Sequence, residues 1–170
     1  MPPGSELSLT SNNHEIKKYW TPVYPESLKG TEFELGNDLN KMIVDTVSQY
    51  ALTDNSWGCF LSGGTDSSAI TGILANKAGP MHTNAYSIGF DEEYFNELEY
   101  AELAAKQFGV QHNTLSIGSD ESLSIIDKLL DSFDEPFGNS SAIPTFYCAQ
   151  LAHSNNHNIM IAGDGGDEVF

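Results

Sequence analysis

The chain contains no arginine. Its seven basic residues are all lysines, set against 24 aspartates and glutamates, for a formal net charge of −17. A nucleic-acid surface needs clustered cations to meet phosphates, and an anionic membrane surface needs the same. Neither partner suits this chain. No apolar run reaches the ~18 residues of a membrane-spanning helix. The first residues, MPPGSELSLTSNNHEIKK, lack the basic-then-apolar build of a signal peptide. These absences together fit the cytoplasm. Cysteine is scarce too. Cys59 and Cys148 lie far apart, each in an apolar stretch, and read as two buried, reduced thiols. Three phosphate or metal motifs are missing: no Gly-Lys-Ser/Thr of a Walker loop, no dinucleotide fingerprint, no EF-hand spacing.

What is present suffices for a folded domain. The 170 residues are 39% hydrophobic and only 18% charged, so a core is expected rather than disorder. Residues 1–34 hold four of the seven prolines and many turn formers, and read as a linker or edge segment. Leu35, Leu39, Met42, Ile43, Val47 and Tyr50 then recur at helical spacing. WGCFLS predicts a buried strand, followed by a loop and a helix bearing Ala69, Ile70, Ile73 and Leu74. NAYSIGF predicts a second strand. Asn96, with Glu99 three residues on, can cap the next helix, and Gly109 can end it. HNTLSI predicts a third strand, and Ser119 a cap for a helix that must stop before Pro136. Pro144 suits the first turn of another helix, and NIMIAG predicts a fourth strand. Strands alternating with helices imply a parallel sheet. In such sheets ligands sit beyond the carboxyl ends of the strands, so the loops after the first and last strands should share one edge.

Those two loops are unusual. LSGGTDSS follows the first strand and GDGGDE the last. A strand, a glycine turn and a helix N-terminus make an anion site, because first-turn N–H groups lack partners and the dipole is positive there. Gly63 and Gly64 let backbone approach a phosphate; Ser62, Thr65, Ser67 and Ser68 offer hydroxyls. Asp66 would repel a naked anion, but it fits if a magnesium ion bridges it to a phosphate oxygen. Asp164, Asp167 and Glu168 cluster among three glycines in the second loop. Either loop alone reads equally well as a polar turn; the pair points to a phosphate-sized, metal-assisted site. His82, His112 and His157 show no metal spacing and read as surface or capping residues. Tyr94, Phe95, Tyr100 and Phe108 read as packing rather than an adenine box. Asp91, Glu92 and Glu93 read as a solvated turn near the rim of the site, and Asp134 and Glu135, ahead of Pro136, more readily as surface residues than as part of it.

SGGTDS resembles the pyrophosphate loop of the PP-loop ATP pyrophosphatases. With YSIGFDEEYFNELEYAELAAKQFGVQH, DEPFGNSSAIPT and GDGGDEVF, the chain from about residue 35 onward is similar to the synthetase domain of glutamine-dependent asparagine synthetases. The resemblance implies an α/β fold, a three-layer parallel sheet with flanking helices of adenine nucleotide alpha hydrolase (PP-loop) type, here lacking its C-terminal part. It implies that residues 1–34 are the connector following a glutaminase domain, and 35–170 the first part of the ATP-binding domain. The reaction it implies uses ATP and Mg2+ to adenylate a small-molecule carboxylate, with a glutaminase domain or other ammonia source outside the chain; a homodimer is compatible with it. By similarity, Ser62, Gly63, Gly64, Asp66 and Ser67 would hold the pyrophosphate and its magnesium, with Asp167 the second metal ligand. The backbones of Leu61, Ile88 and Gly163 would frame the adenosine, with Ala162 near it. Asp164 and Glu168 would serve catalysis, Glu168 near the carboxylate. The pattern departs from asparagine synthetases at Asp164, where many carry glutamate, and at Ala162, where many carry serine. This leaves aspartate, a related carboxylate, or intramolecular amide formation of the β-lactam synthetase or lasso-peptide cyclase kind as readings. The family's glutaminase domain and catalytic lysine are not among these residues, so the fragment alone is expected to be inactive.

Overall fold

The computed structural model describes residues 1–24, 27–51, 56–91, 97–134 and 137–166. Backbone packing divides the chain into two units, residues 1–38 and 39–170.

The first unit holds an antiparallel hairpin, β1 (Ser5–Leu9) and β2 (His14–Lys18), in register from Ser5↔Lys18 to Leu9↔His14. The region that composition reads as a linker or edge segment thus carries a hairpin. Its turn explains the ambiguity. Thr10 N–H donates to the Asn13 carbonyl at 2.8 Å, and Asn13 N–H to Thr10 Oγ1 at 3.1 Å. The turn formers taken as linker signal close a hairpin instead. Helix α1 (Glu32–Ala51) starts before Leu35. Thr31 and Glu34 form a reciprocal cap: Thr31 N–H donates to Glu34 Oε2 at 2.8 Å, and Glu34 N–H to Thr31 Oγ1 at 3.3 Å. These bonds hold the Glu34 carboxyl below its ordinary range, the Thr31 backbone contributing most.

The second unit is an α/β sandwich. Its elements run β3 (Trp57–Phe60), α2 (Thr65–Ala78), β4 (Asn84–Phe90), α3 (Leu98–Phe108), β5 (Gln111–Ile117), α4 (Ser119–Ser124), α5 (Ile126–Ser132), α6 (Ala142–Ser154) and β6 (Ile159–Ile161). The four strands form one sheet in the order β5-β4-β3-β6, every pairing parallel. Side chains alternate across it with the period of a strand. On one face Trp57, Cys59, Leu61, Ala85 and Ile161 join Leu74 of α2 and Ala101 and Ala105 of α3 in the main core. On the other, Tyr86, Phe60, Ile88 and Met160 pack with Cys148 and Ala152 of α6. Sheet and helices therefore form three layers, as expected.

Local chemistry accounts for the close approaches. Gly72 leaves room for the Phe108 ring, which a Cβ there would meet at 2.9 Å. Gly58 does the same for Tyr86, at 2.8 Å. Gly109 ends α3 in the left-handed region, φ 68° and ψ 24°, its N–H on the Ala105 carbonyl. Pro144 falls in the first turn of α6.

Two expected details change. The helix after the third strand is broken at Ile125, whose φ −99° and ψ −3° separate α4 from α5. Ile125 is 3% exposed and packs with Ile117 and Tyr147, so burial of that side chain prevails over helix continuity. Gly118, not Ser119, holds the N-cap position, and its N–H donates to Glu121 Oε2 at 3.1 Å. Asn96, the expected cap of α3, lies outside the described residues; Glu97 stands at the N-cap position.

Candidate functional site

The strand order places the site. The chain runs from β3 outward to β4 and β5, then crosses back to add β6 on the other side of β3. β3 and β6 flank a topological switch point, where the connections diverge and leave a crevice at the strand C-termini. Both unusual loops leave these two adjacent strands, at the same edge.

The first loop turns sharply into α2. Gly63 has φ +85°, a conformation that favours glycine. A Cβ there would lie 2.6 Å from the Ala101 nitrogen, so the loop is seated against the backbone of α3. Gly64 is the N-cap residue of α2 and gives no side-chain capping bond, and Asp66 sits in the first turn. The first helical bond runs from Ser68 N–H to the Gly64 carbonyl at 3.0 Å. The N–H groups of Thr65, Asp66 and Ser67 thus have no acceptor within the helix. Hydroxyls organise the rest of the loop. Ser62 N–H donates to Ser67 Oγ at 3.2 Å, Gly64 N–H to Ser62 Oγ at 3.3 Å, and the two hydroxyls lie 3.0 Å apart.

The second loop closes on Asp66. A Cβ on Gly163 would meet Asp66 Cβ at 3.1 Å, and one on Gly166 would meet Asp66 Cγ at 2.7 Å. Two glycines of GDGGDE are therefore the surface on which the Asp66 side chain rests.

A cavity of about 670 Å³ opens above these loops. It is lined by Leu61, Ser62, Gly64, Asp66 and Ser67 from the first loop, and by Gly163 and Asp164 from the second. Ile88 of β4 and Ala162 also line it. Gly63 is set back from it, against α3. Asp167 and Glu168 lie outside the described residues, as do Tyr94, Phe95, Glu92, Glu93 and Glu135. Leu61 N–H donates to the Tyr86 carbonyl at 2.9 Å, and Gln111 N–H to the Thr83 carbonyl at 2.9 Å. In a parallel ladder this alternation turns the backbone groups of even-numbered β4 residues toward β3. The Ile88 N–H and carbonyl therefore face the space that β3 vacates when it ends at Phe60.

Sequence reasoning missed the wall opposite the loops. Pro144, Thr145 and Cys148 of α6 line the cavity, together with Phe60, Tyr86 and Ser87. The signal was present as a helical i, i+1, i+4 set behind Ser141. Neither cysteine forms a disulfide. Burial raises the Cys59 thiol to about 11 and the Cys148 thiol to about 12. Of His82, His112 and His157, two are more engaged than a surface reading allows. His157 Nδ1 lies 2.7 Å from the Tyr86 hydroxyl, and His112 Nε2 lies 2.8 Å from Ser87 Oγ. Tyr100 is exposed, whereas the Phe108 ring lies against α2.

The donor set fits a nucleotide triphosphate. Helix N–H groups and hydroxyls face a volume of suitable size. It also fits magnesium. Among the described residues no three His, Cys, Asp or Glu side chains cluster, but magnesium takes one or two carboxylates plus phosphate oxygens and water. Among the described residues Asp66 and Asp164 line the cavity and no lysine does.

Comparison with known proteins agrees. The asparagine synthase family model matches residues 38–170. The chain belongs to this family. A Methanocaldococcus jannaschii homologue of the glutamine-hydrolyzing asparagine synthetases is 31% identical over 96% of the chain. The asparagine synthetase (glutamine-hydrolyzing) 1 of Bacillus subtilis is 27% identical over 99%. The chain spans 32% and 26% of the length of these two relatives. In fold it is similar to an NH3-dependent NAD synthetase from Campylobacter jejuni, with TM-score 0.50 and 15% identity, covering 78% of this chain and 58% of the other. For an asparagine synthase-family chain, the PP-loop architecture expected from SGGTDS is thus the one observed. No helix among the described residues is long and apolar enough to cross a membrane.

Proposed function

We propose that the chain is the ATP-binding part of an asparagine synthetase-like ligase. It joins aspartate or a related carboxylate to glutamine-derived ammonia by way of an acyl-adenylate, releasing AMP and pyrophosphate. The observation that carries this reading is the meeting of the two loops at Asp66, in the first turn of α2 and on the lining of the cavity.

Each residue has a task under this reading. The first-turn N–H groups of α2 and the hydroxyls of Ser62 and Ser67 bind and orient the polyphosphate. Gly63 and Gly64 allow the backbone to wrap it. The Ile88 N–H and carbonyl offer a donor–acceptor pair to the edge of a purine, with Leu61 and Gly163 framing the nucleoside. Asp66, with Asp167, would hold Mg2+, which when bound neutralises charge on the departing pyrophosphate. Asp164 is an exposed residue on the cavity lining, where with Glu168 it would face the carboxylate substrate. Residues 1–34 are read as the connector to a glutaminase domain, and the setting as cytoplasmic.

Titration calorimetry tests the reading. The chain should bind ATP only with magnesium, and Asp66→Asn should weaken Mg·ATP binding without a comparable loss of stability. Equal ATP affinity with and without magnesium would sink the metal bridge.

A further inference from the structure

Three hydrogen-bonding groups on three neighbouring strands form a line into the cavity wall. Ser87 Oγ, from β4, donates to the Leu61 carbonyl, where β3 gives way to the first loop. His112 Nε2, from edge strand β5, lies 2.8 Å from the same Ser87 Oγ. The proton positions follow from valence. A serine hydroxyl has one proton, and a carbonyl can only accept. Ser87 must therefore donate to Leu61 and accept from His112, which fixes the His112 proton on Nε2.

The line has a consequence for the ladder. After Leu61 N–H pairs with the Tyr86 carbonyl, a regular parallel ladder would next pair Ile88 N–H with the Leu61 carbonyl. Among the described residues that bond is not made; the carbonyl accepts from Ser87 instead. The Ile88 N–H is left facing the cavity, and both Ser87 and Ile88 line it.

We propose that His112 is a positioning residue. Through Ser87 it draws the Leu61 carbonyl out of the β3–β4 ladder, and so keeps the Ile88 N–H available to the base of a bound nucleotide. The arrangement is built in. Ser87 is 4% exposed, and His112 stands in register with Ala85, which is fully buried beneath α3. Burial also holds the imidazole below its ordinary range, in partial opposition to nearby Glu102; the ring can donate from Nε2 in either protonation state. The alanines at 101 and 105 of α3, 1% and 4% exposed, let that helix lie close over this face.

The inference rests on the nucleotide reading above, and the test separates the two. The chain is titrated with Mg·ATP and, independently, with Mg·tripolyphosphate, which presents the phosphates without a base. Ser87→Ala and His112→Ala should weaken ATP binding about tenfold, the effect of one well-placed hydrogen bond. Tripolyphosphate binding should stay within about twofold, because these variants leave the α2 N-terminus untouched. His112→Gln, whose amide can supply the lost N–H, should bind ATP like the unaltered chain; it also serves if His112→Ala fails to fold. Unchanged ATP affinity in Ser87→Ala and His112→Ala overturns the proposal. So does a parallel loss of both ligands, which would assign the line to loop stability alone. A loss in His112→Gln equal to that in His112→Ala refutes the donor assignment. If the unaltered chain does not prefer ATP to tripolyphosphate, the nucleotide reading fails and this proposal fails with it.

Discussion

Gly63→Ala is the substitution on which the account of the first loop is most exposed. Two costs add at this position. The backbone has φ +85°, which an L-residue adopts at about 1–2 kcal/mol. The added methyl would also stand 2.5 Å from Tyr100 Cβ and 2.6 Å from the Ala101 nitrogen. The nearest atoms include helix backbone, which cannot swing aside, so the loop or α3 must move; overpacking of this kind costs about 1–3 kcal/mol. The sum is about 2–5 kcal/mol, a large fraction of the ~5–15 kcal/mol of a typical domain. Gly109→Ala supplies the control. It has φ +68°, but its Cβ would meet nothing closer than Pro80 Cβ at 3.6 Å, so only the backbone cost applies. Urea unfolding followed by circular dichroism measures both. With an m-value of about 2 kcal/mol/M, Gly63→Ala should lower the midpoint by about 1–2.5 M, and Gly109→Ala by about 0.5–1 M. Gly63→Ala should in addition weaken Mg·ATP binding, because the loop it lifts from α3 carries the N–H groups and hydroxyls proposed to hold the phosphates. Equal destabilisation by the two variants would refute the claim that this loop is seated against α3.

Burial holds the thiols near 11 at Cys59 and 12 at Cys148, so at pH 8 about one in a thousand or fewer is thiolate. Neither should react with a disulfide reagent until the chain is unfolded, and neither should support glutamine hydrolysis; alkylation-sensitive glutamine turnover would contradict this. His112 and His157 are both held below the ordinary imidazole range by desolvation, so the folded state resists protonation more than the unfolded chain does. Their contribution to stability is complete above about pH 7 and declines as pH falls through the ordinary value of about 6.5 toward the folded one. The urea midpoint should fall on acidification from about pH 7.5 to 5.5, and His157→Gln should flatten that decline; an unchanged slope would assign it elsewhere. Among the described residues no lysine lines the cavity, and an adenylation would build negative charge that backbone donors and a metal only partly offset. Residues 1–170 with Mg·ATP and candidate carboxylates should therefore release pyrophosphate at background. Robust release that Asp66→Asn abolishes would show that one of the seven lysines reaches the site.

The sheet was legible because its signals are local. WGCF and NAYSIGF are short apolar runs closed by turn residues, and the helices between them carry their own periodicity. Once strands and helices alternate, handedness and connection rules leave few topologies, and both loops fall at one edge. The hairpin of residues 5–18 was not legible, because its turn residues and exposed strands have the composition of a linker. The break at Ile125 escaped for another reason. Whether a helix bends to bury one isoleucine depends on Tyr147, which arrives from distant sequence, and on how it packs with Ile117 at the end of β5.

The site shows the same boundary between local and tertiary information. A reader of GDGGDE attends to its carboxylates, since charge announces chemistry. Gly163 and Gly166 are the residues that touch Asp66, and a side chain at 166 would occupy the space of the Asp66 carboxylate. Nothing within either loop encodes that contact; it exists because β6 is laid beside β3 rather than beside β5. His112 is further from view still. Its sequence neighbours mark it only as a polar residue at the start of a strand. It gains a role because Ser87 stands between it and the carbonyl that ends β3, an arrangement set by strand register. Motif residues can thus be read from one segment, while the residues that hold a motif in shape become readable only when the strands are aligned.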